Sequence, residues 1–220
     1  MSELTLVIGN KNYSSWSLRA WLFLKHTGAP FREVRIPLDL PDTKARIAQY
    51  SPAGRVPVLI DGGLTVWDSM AICEYLSETI LAGGGWPADV RSRAAARSVS
   101  AEMHSGFQAL RSELPMNCRA RRKVAPSAAA RADIERIVSI WEACRSGHAA
   151  AGPWLFGRFT IADAMYAPVA FRFQTYGVEL GGNAAGYAKT LLEHPAALEW
   201  AAAGREEVEV VAADEAGTPV

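Results

Sequence analysis

Cysteine is scarce in this 220-residue chain, which has only Cys73, Cys118 and Cys144. Their number is odd and no two stand in a CxxC spacing, which argues against a disulfide framework and against a dithiol redox motif. An excess of charge of one sign is also missing. Lys and Arg number 23, Asp and Glu 23, so the net charge is zero with histidine neutral. Neutralising phosphates needs a concentrated basic surface, so a nucleic-acid partner is not expected. No uninterrupted apolar run approaches the ~18–20 residues that span a bilayer, so a membrane partner is not expected either. Met1-Ser2-Glu3 puts no basic stretch ahead of the first apolar run, so no secretory signal is expected. The reading is a reducing compartment, the cytoplasm. The histidines, His26, His104, His148 and His194, show no HxxxH or HxxH spacing, and no metal site is expected. What the chain has in quantity is apolar: half of it is hydrophobic and seven residues are tryptophan. That suffices for a sizeable core and for aromatic cleft walls.

Residues 1–82 alternate short strand-like runs with helical ones. Leu4 to Ile8 reads as a buried strand ended by Gly9-Asn10, and Trp16 to His26 as a helix apolar on most sides. Phe31 to Ile36 is a second strand, Asp42 to Tyr50 a weaker helix, and Val56 to Ile60 a third strand. Asp61-Gly62-Gly63 turns it into a fourth, Leu64 to Val66. Ser69 to Leu81 is helical, with Ile72, Leu76 and Ile80 four apart and Ser69 as its N-cap. The order is βαβ, then αββα. Gly83-Gly84-Gly85, followed by Pro87, marks the domain boundary, with 83–89 as linker and 83–220 helical throughout. Val99, Met103, Phe107, Leu110 and Leu114 make one stripe, read as a single helix ended by Pro115. Ser127 caps a helix to Arg145. Thr160-Ile161-Ala162-Asp163 is a capping box ahead of another, and His194-Pro195 opens a last short helix through Trp200. The fold class is α/β followed by all-α.

Three short segments carry chemistry. Val56-Pro57 sets a proline in a strand, where it cannot donate to the ladder. With a cis bond, the Val56 backbone would face outward and pair with a bound peptide as an extra strand does; an ordinary edge proline reads the same. Asp68-Ser69 precede a helix, whose free N–H groups attract an anion while Asp68 holds an ammonium; a plain cap reads the same. In the turn Asn12-Tyr13-Ser14-Ser15-Trp16-Ser17, hydroxyls and a helix N-terminus can favour a thiolate; a serine-rich capping segment reads the same. Arg119-Ala120-Arg121-Arg122-Lys123 is a basic run read as solvated surface.

Taken in order, Ser14-Ser15-Trp16-Ser17-Leu18-Arg19, Ser51-Pro52-Ala53-Gly54-Arg55-Val56-Pro57-Val58-Leu59 and Trp67-Asp68-Ser69-Met70-Ala71-Ile72-Cys73-Glu74-Tyr75-Leu76 resemble the cytosolic glutathione S-transferases. Phe159 to Ala164 resembles the capping box of that family's helical domain. The resemblance implies a thioredoxin-like N-terminal domain that binds glutathione as co-substrate, without a metal. It also implies an all-helical C-terminal domain that shapes the electrophile pocket, and a homodimer. The serine loop is most similar to the zeta class, which includes maleylacetoacetate isomerases, although the cysteine of that loop is Trp16 here. By resemblance Ser14 supports the thiolate in zeta fashion, or Ser15 does so as in the theta and delta branches. Val56 before Pro57 clamps the cysteinyl backbone, and Asp68 and Ser69 hold the γ-glutamyl end. Lys44 or Arg55 neutralises the glycine carboxylate, and Glu102 reaches the glutathione amine. Met103, His104, Phe107 and Arg111 stand on the pocket-lining helix, with Met103 and Phe107 also continuing the apolar stripe. The function implied is thiolate attack on a small electrophile. The alternatives are a glutathione-dependent cis–trans isomerase and a non-catalytic binding protein of this fold.

Overall fold

The computed structural model describes residues 3–220. β1 (Leu4–Ile8) is the central strand of the first half. It pairs in parallel with β2 (Phe31–Arg35) and antiparallel with β3 (Val58–Asp61), and β3 pairs antiparallel with β4 (Leu64–Trp67). The order is β2-β1-β3-β4. All five residues of β1 are buried. Leu4, Leu6 and Ile8 join the large core, which includes residues of α1 (Ser15–Thr27) and α3 (Ser69–Thr79). Val7 faces a smaller cluster with Ile36, Val58 and Ile47 of α2 (Thr43–Ala48). A strand covered on both faces has no polar side to show, which is why β1 is an unbroken apolar run.

The second half is built around α7 (Ile161–Tyr176), in which every residue but Gln174 is buried. Around it stand α4 (Val90–Ser105), α5 (Gln108–Glu113), α6 (Ala128–His148), α8 (Gly182–Glu193) and α9 (Pro195–Glu206). The capping box holds: the Thr160 N–H donates to Asp163 Oδ2 at 2.8 Å. Asp163 Oδ1 also accepts from the Leu155 N–H and the Tyr187 hydroxyl, at 3.0 and 3.1 Å. Burial still pushes its carboxyl up to about 6.

Three sequence expectations are corrected and one unforeseen helix is added. The stripe from Val99 to Leu114 is two helices. α4 stops at Ser105, Gly106 is extended, and Phe107 takes a left-handed φ of 61°. Side chains satisfy the break: Arg111 donates to the nearby carbonyls of Gly106 and Met103, and Asp133 of α6, 23 positions away, accepts the Leu110 N–H. Both Met103 and Phe107 thereby stay in the core. Second, the cap of α3 is Asp68, whose Oδ1 accepts the N–H groups of Met70 and Ala71 at 2.8 and 3.3 Å. Ser69 is the first helical residue. The added helix is α8, which no expectation matches. Its start is supported by Glu142 of α6, which accepts the Ala184 N–H at 2.7 Å.

Third, the basic run is only half solvated. Arg119 donates to the Glu207 and Glu209 carbonyls, and Arg122 reaches Glu215 and the Ala216 and Gly217 carbonyls. A short pair, β5 (Arg122–Lys123) with β6 (Thr218–Pro219), completes the clasp. The C-terminal stretch is thereby strapped across the β1–α1 turn.

Candidate active site

The turn between β1 and α1 is held from outside itself. Glu207, just beyond α9, accepts the Lys11 N–H at 2.7 Å and the Asn12 N–H at 3.0 Å through its two oxygens. Asn12 bonds Asn117 through its amide, and its Oδ1 accepts the Arg119 N–H. The Tyr13 hydroxyl donates to Glu215 at 2.6 Å. Gly204 of α9 lies so close that an added Cβ would sit 3.1 Å from the Asn12 nitrogen.

Beyond this anchored turn, Ser14 caps α1. Its hydroxyl accepts the Ser17 N–H at 3.3 Å and donates to Ser17 Oγ at 2.7 Å. Ser15 differs: its Oγ accepts from Arg172 of α7 at 3.1 Å. Both serines are buried. Trp16, in contrast, is 37% exposed.

Trp16 forms one wall of a cavity of about 530 Å³. The opposite side is the segment ahead of β3: Ala53, Arg55, Val56 and Pro57. The Val56–Pro57 bond is cis, and Val56 stands outside the β3 ladder. Trp67, Asp68 and Ser69 supply the floor where β4 runs into α3, and His104 closes the cavity from α4. The site thus lies where the two halves of the chain meet.

Two features of this wall are electrostatically distinctive. Asp68 Oδ2 faces His104 Nε2 at 3.1 Å. Burial works to raise the Asp68 pKa, but the bond and charge of His104 and the Met70 and Ala71 N–H groups outweigh it and hold it below the usual carboxylate range. Asp68 also has a φ of 72°, rare outside glycine, asparagine and aspartate. Next to it, Ser69 is 1% exposed and its Oγ has no hydrogen-bond partner. Ser69 is thus a cavity-lining residue at the start of α3 whose buried hydroxyl is free to pair.

Of the residues singled out from sequence, the cavity gathers Arg55, Val56, Pro57, Asp68, Ser69 and His104. Ser14 and Ser15 are buried and do not line it. Lys44 is exposed on α2. Glu102 is held by Arg136 at 2.7 and 2.8 Å, and Met103 and Phe107 are core. Arg111 turns back onto its own helix end, its guanidinium 4.8 Å from the Trp16 ring. Sequence reasoning missed Trp16 and Trp67 as walls; two large aromatics beside turn residues were the available signal. It also missed Glu207, for which a lone acidic residue after a helix carries no signal at all. Among the described residues no group of three His, Cys, Asp or Glu could hold a metal, and no helix is long and apolar enough to cross a membrane.

The glutathione S-transferase N-terminal domain family matches residues 13–79, and the glutathione S-transferase C-terminal domain family matches 118–203. The chain belongs to the glutathione S-transferase family. Among curated relatives, a dichloromethane dehalogenase of Methylorubrum extorquens is 38% identical over 66 residues, 29% of this chain and 23% of its own. A probable maleylacetoacetate isomerase of Caenorhabditis elegans is 33% identical over 96 residues, 44% of each chain. Glutathione S-transferase theta-1 of Mus musculus is 33% identical over 93 residues, 40% of this chain and 38% of its own. The matched segments thus span less than half the length of these relatives. Among solved structures, a glutathione transferase homologue from Burkholderia with bound glutathione aligns with a TM-score of 0.71 at 24% identity, over 94% of this chain and 100% of its own. A theta-class enzyme from Xanthomonas axonopodis pv. citri with glutathione bound gives 0.63 at 21%, over 91% and 98%. At these identities the structures establish the shared glutathione S-transferase fold. Its small α/β half and its helical half correspond to the two halves of this chain.

Proposed function

We propose that this protein is a glutathione transferase that holds glutathione in the cavity between Trp16, Val56 and Ser69 and activates its sulfur as a thiolate. The observation that carries the reading is the unpartnered, buried Ser69 hydroxyl beside Asp68 at the start of α3. One carbon of the γ-glutamyl end bears both a carboxylate and an ammonium. The carboxylate is met by Ser69 and the α3 N-terminus, the ammonium by the Asp68 carboxylate. Val56 offers its backbone to the cysteinyl unit, and Arg55, which lines the cavity, supplies a cation for the glycine carboxylate. The second substrate is a small electrophile, and the family resemblance points to a homodimer.

For sulfur activation the hydrogen bonding favours Ser15 over Ser14. The Ser14 proton is given to Ser17, whereas Ser15 accepts from the Arg172 guanidinium and keeps its own proton to donate. A hydroxyl polarised by a cation is the better donor to an anion. Ser15→Ala is therefore expected to raise the thiol pKa of bound glutathione by about one to two units, the scale of a charged hydrogen bond. Ser14→Ala should act less. The ultraviolet thiolate band, read against pH, checks this. The loss should be largest near neutrality and shrink at pH ~9–10, where a thiol of pKa ~8.5 ionises unaided. A larger effect of Ser14→Ala would exchange the two roles, and no effect of either would remove hydroxyl activation.

A further inference from the structure

Arg19 lies on α1 one turn beyond Ser15 and is wholly buried. Its Nε, Nη1 and Nη2 have no hydrogen-bond partner at all. Buried guanidiniums are ordinarily matched by carboxylates or carbonyls, because an unpaired buried charge is strongly unfavourable. Here the surroundings are more cationic still. Arg19 lies 4.4 Å from the centre of the Trp16 ring, and Arg111 lies 4.8 Å from it. Arg172, 4% exposed, donates to Ser15 and to the Leu114 carbonyl. None of the three arginines is ion-paired among the described residues. Asp68, the acid nearest in effect to Arg19, is already bonded to His104.

Mutual repulsion is therefore built into the roots of α1, α5 and α7. Burial, with Arg111 and Arg172 beside it, holds the Arg19 pKa well below the usual guanidinium range. Trp16, against whose ring Arg19 stacks, also lines the cavity; no hydrogen bond tethers its indole, and it is already more than one-third exposed.

We propose that Arg19, with Arg111 and Arg172, forms an oxyanion site roofed by Trp16, which takes the carboxylate or equivalent oxyanion of the second substrate. The proposal rests on the glutathione transferase reading for the cavity next to it. The indole stacks on the guanidiniums while the site is empty and moves aside when an oxyanion replaces it. Arg19 offers a free planar fork, the geometry that carboxylates prefer. A substrate with an apolar body and an acidic end would then lie with its body against Trp67 and Pro57. Its electrophilic centre would face the α1 N-terminus.

Benzoate and its uncharged isostere benzamide serve as probes, titrated calorimetrically into the wild-type protein with and without saturating glutathione. Benzoate should bind about tenfold or more tighter than benzamide, and Arg19→Met should abolish that preference. The same substitution should leave the melting temperature unchanged or raise it, because it removes an unpaired buried charge. Trp16→Ala should tighten benzoate binding by removing the roof. Should Arg19→Met fail to fold, Arg19→Lys retains the charge without the fork and should lose most of the preference. Equal binding of the two probes overturns the site, as does a preference that survives at Arg19→Met or Arg19→Lys. A lower melting temperature with benzoate binding intact makes Arg19 structural and overturns it too. If benzoate competes with glutathione, the oxyanion belongs to glutathione itself and the assignment to a second substrate falls. If benzoate binds as expected but glutathione does not, the site stands and the transferase reading fails.

Discussion

Asp68 accepts the first α3 N–H groups through Oδ1 and meets His104 through Oδ2, so its charge and its capping can be separated by one substitution. Asn keeps a cap acceptor and tolerates the left-handed backbone of this position. Asp68→Asn should therefore leave the melting temperature nearly unchanged. If the carboxylate holds the γ-glutamyl ammonium, glutathione binding should weaken by about 1.5–3 kcal/mol. Calorimetry reads both arms, and an unchanged dissociation constant would take Asp68 out of the glutathione contacts. The identity of this residue was legible from its place ahead of a helix. Its pairing with His104 was not, because the two are 36 positions apart and meet only once α3 and α4 have both packed against α7.

At the scale of elements, the anchoring of the β1–α1 turn comes from the far end of the chain. Glu207 satisfies two adjacent N–H groups with its two oxygens, and Arg35 stands 3.5 Å from one of them. In Glu207→Gln, the amide NH₂ must face one of those N–H groups, leaving donor against donor. Hydrogen exchange at Lys11 and Asn12 should accelerate by about tenfold or more, as loss of a charged hydrogen bond implies, while the β1 amides keep their protection. Unchanged exchange at Lys11 and Asn12 would show that α9 and Arg119 hold the turn without Glu207. The α4–α5 break belongs to the same scale. The 4, 4, 3, 4 spacing of the stripe is genuine, and its last four members are buried. Periodicity reports which side chains share a core, not whether the backbone between them stays helical.

Across the whole molecule, the two halves also meet at a stack remote from the cavity. His26 at the end of α1 lies 4.4 Å from Phe159, and Phe159 lies 5.2 Å from His194, the cap of α9. Burial lowers the pKa of both histidines, and for His26 the charges of His194 and Arg158 add to it. A histidine pKa below the unfolded value of ~6.5 means that the unfolded chain binds more protons. The stability held by neutral His194 is thus complete above pH ~6.5 and is lost as pH falls through its lowered folded value. Protonation also removes the Nδ1 lone pair that accepts the Ala196 N–H. His194→Asn keeps a capping acceptor and cannot titrate, so its melting temperature should fall less than that of wild type between pH 7 and 5.5. Asp163, whose carboxyl is pushed up to about 6, contributes with the opposite sign. It does so equally in both proteins, so the difference reports His194 together with the loss of its charge beside His26. Parallel melting curves would exclude the histidine.

The order of elements in the first half and the capping box at Thr160 were determined by the sequence alone. Each depends on neighbours within a few positions: short apolar runs between turn residues, a hydroxyl three residues ahead of an acid. Tertiary structure alone decided the rest. Glu207 closes on Lys11 across 196 positions, Arg172 reaches Ser15 across 157, and Arg19 is stranded beside cations contributed by two other helices. Such contacts follow from the packing of α1 against α7 and from where the chain returns after α9. No local propensity encodes them, because the partners become neighbours only after the apolar faces between them have closed.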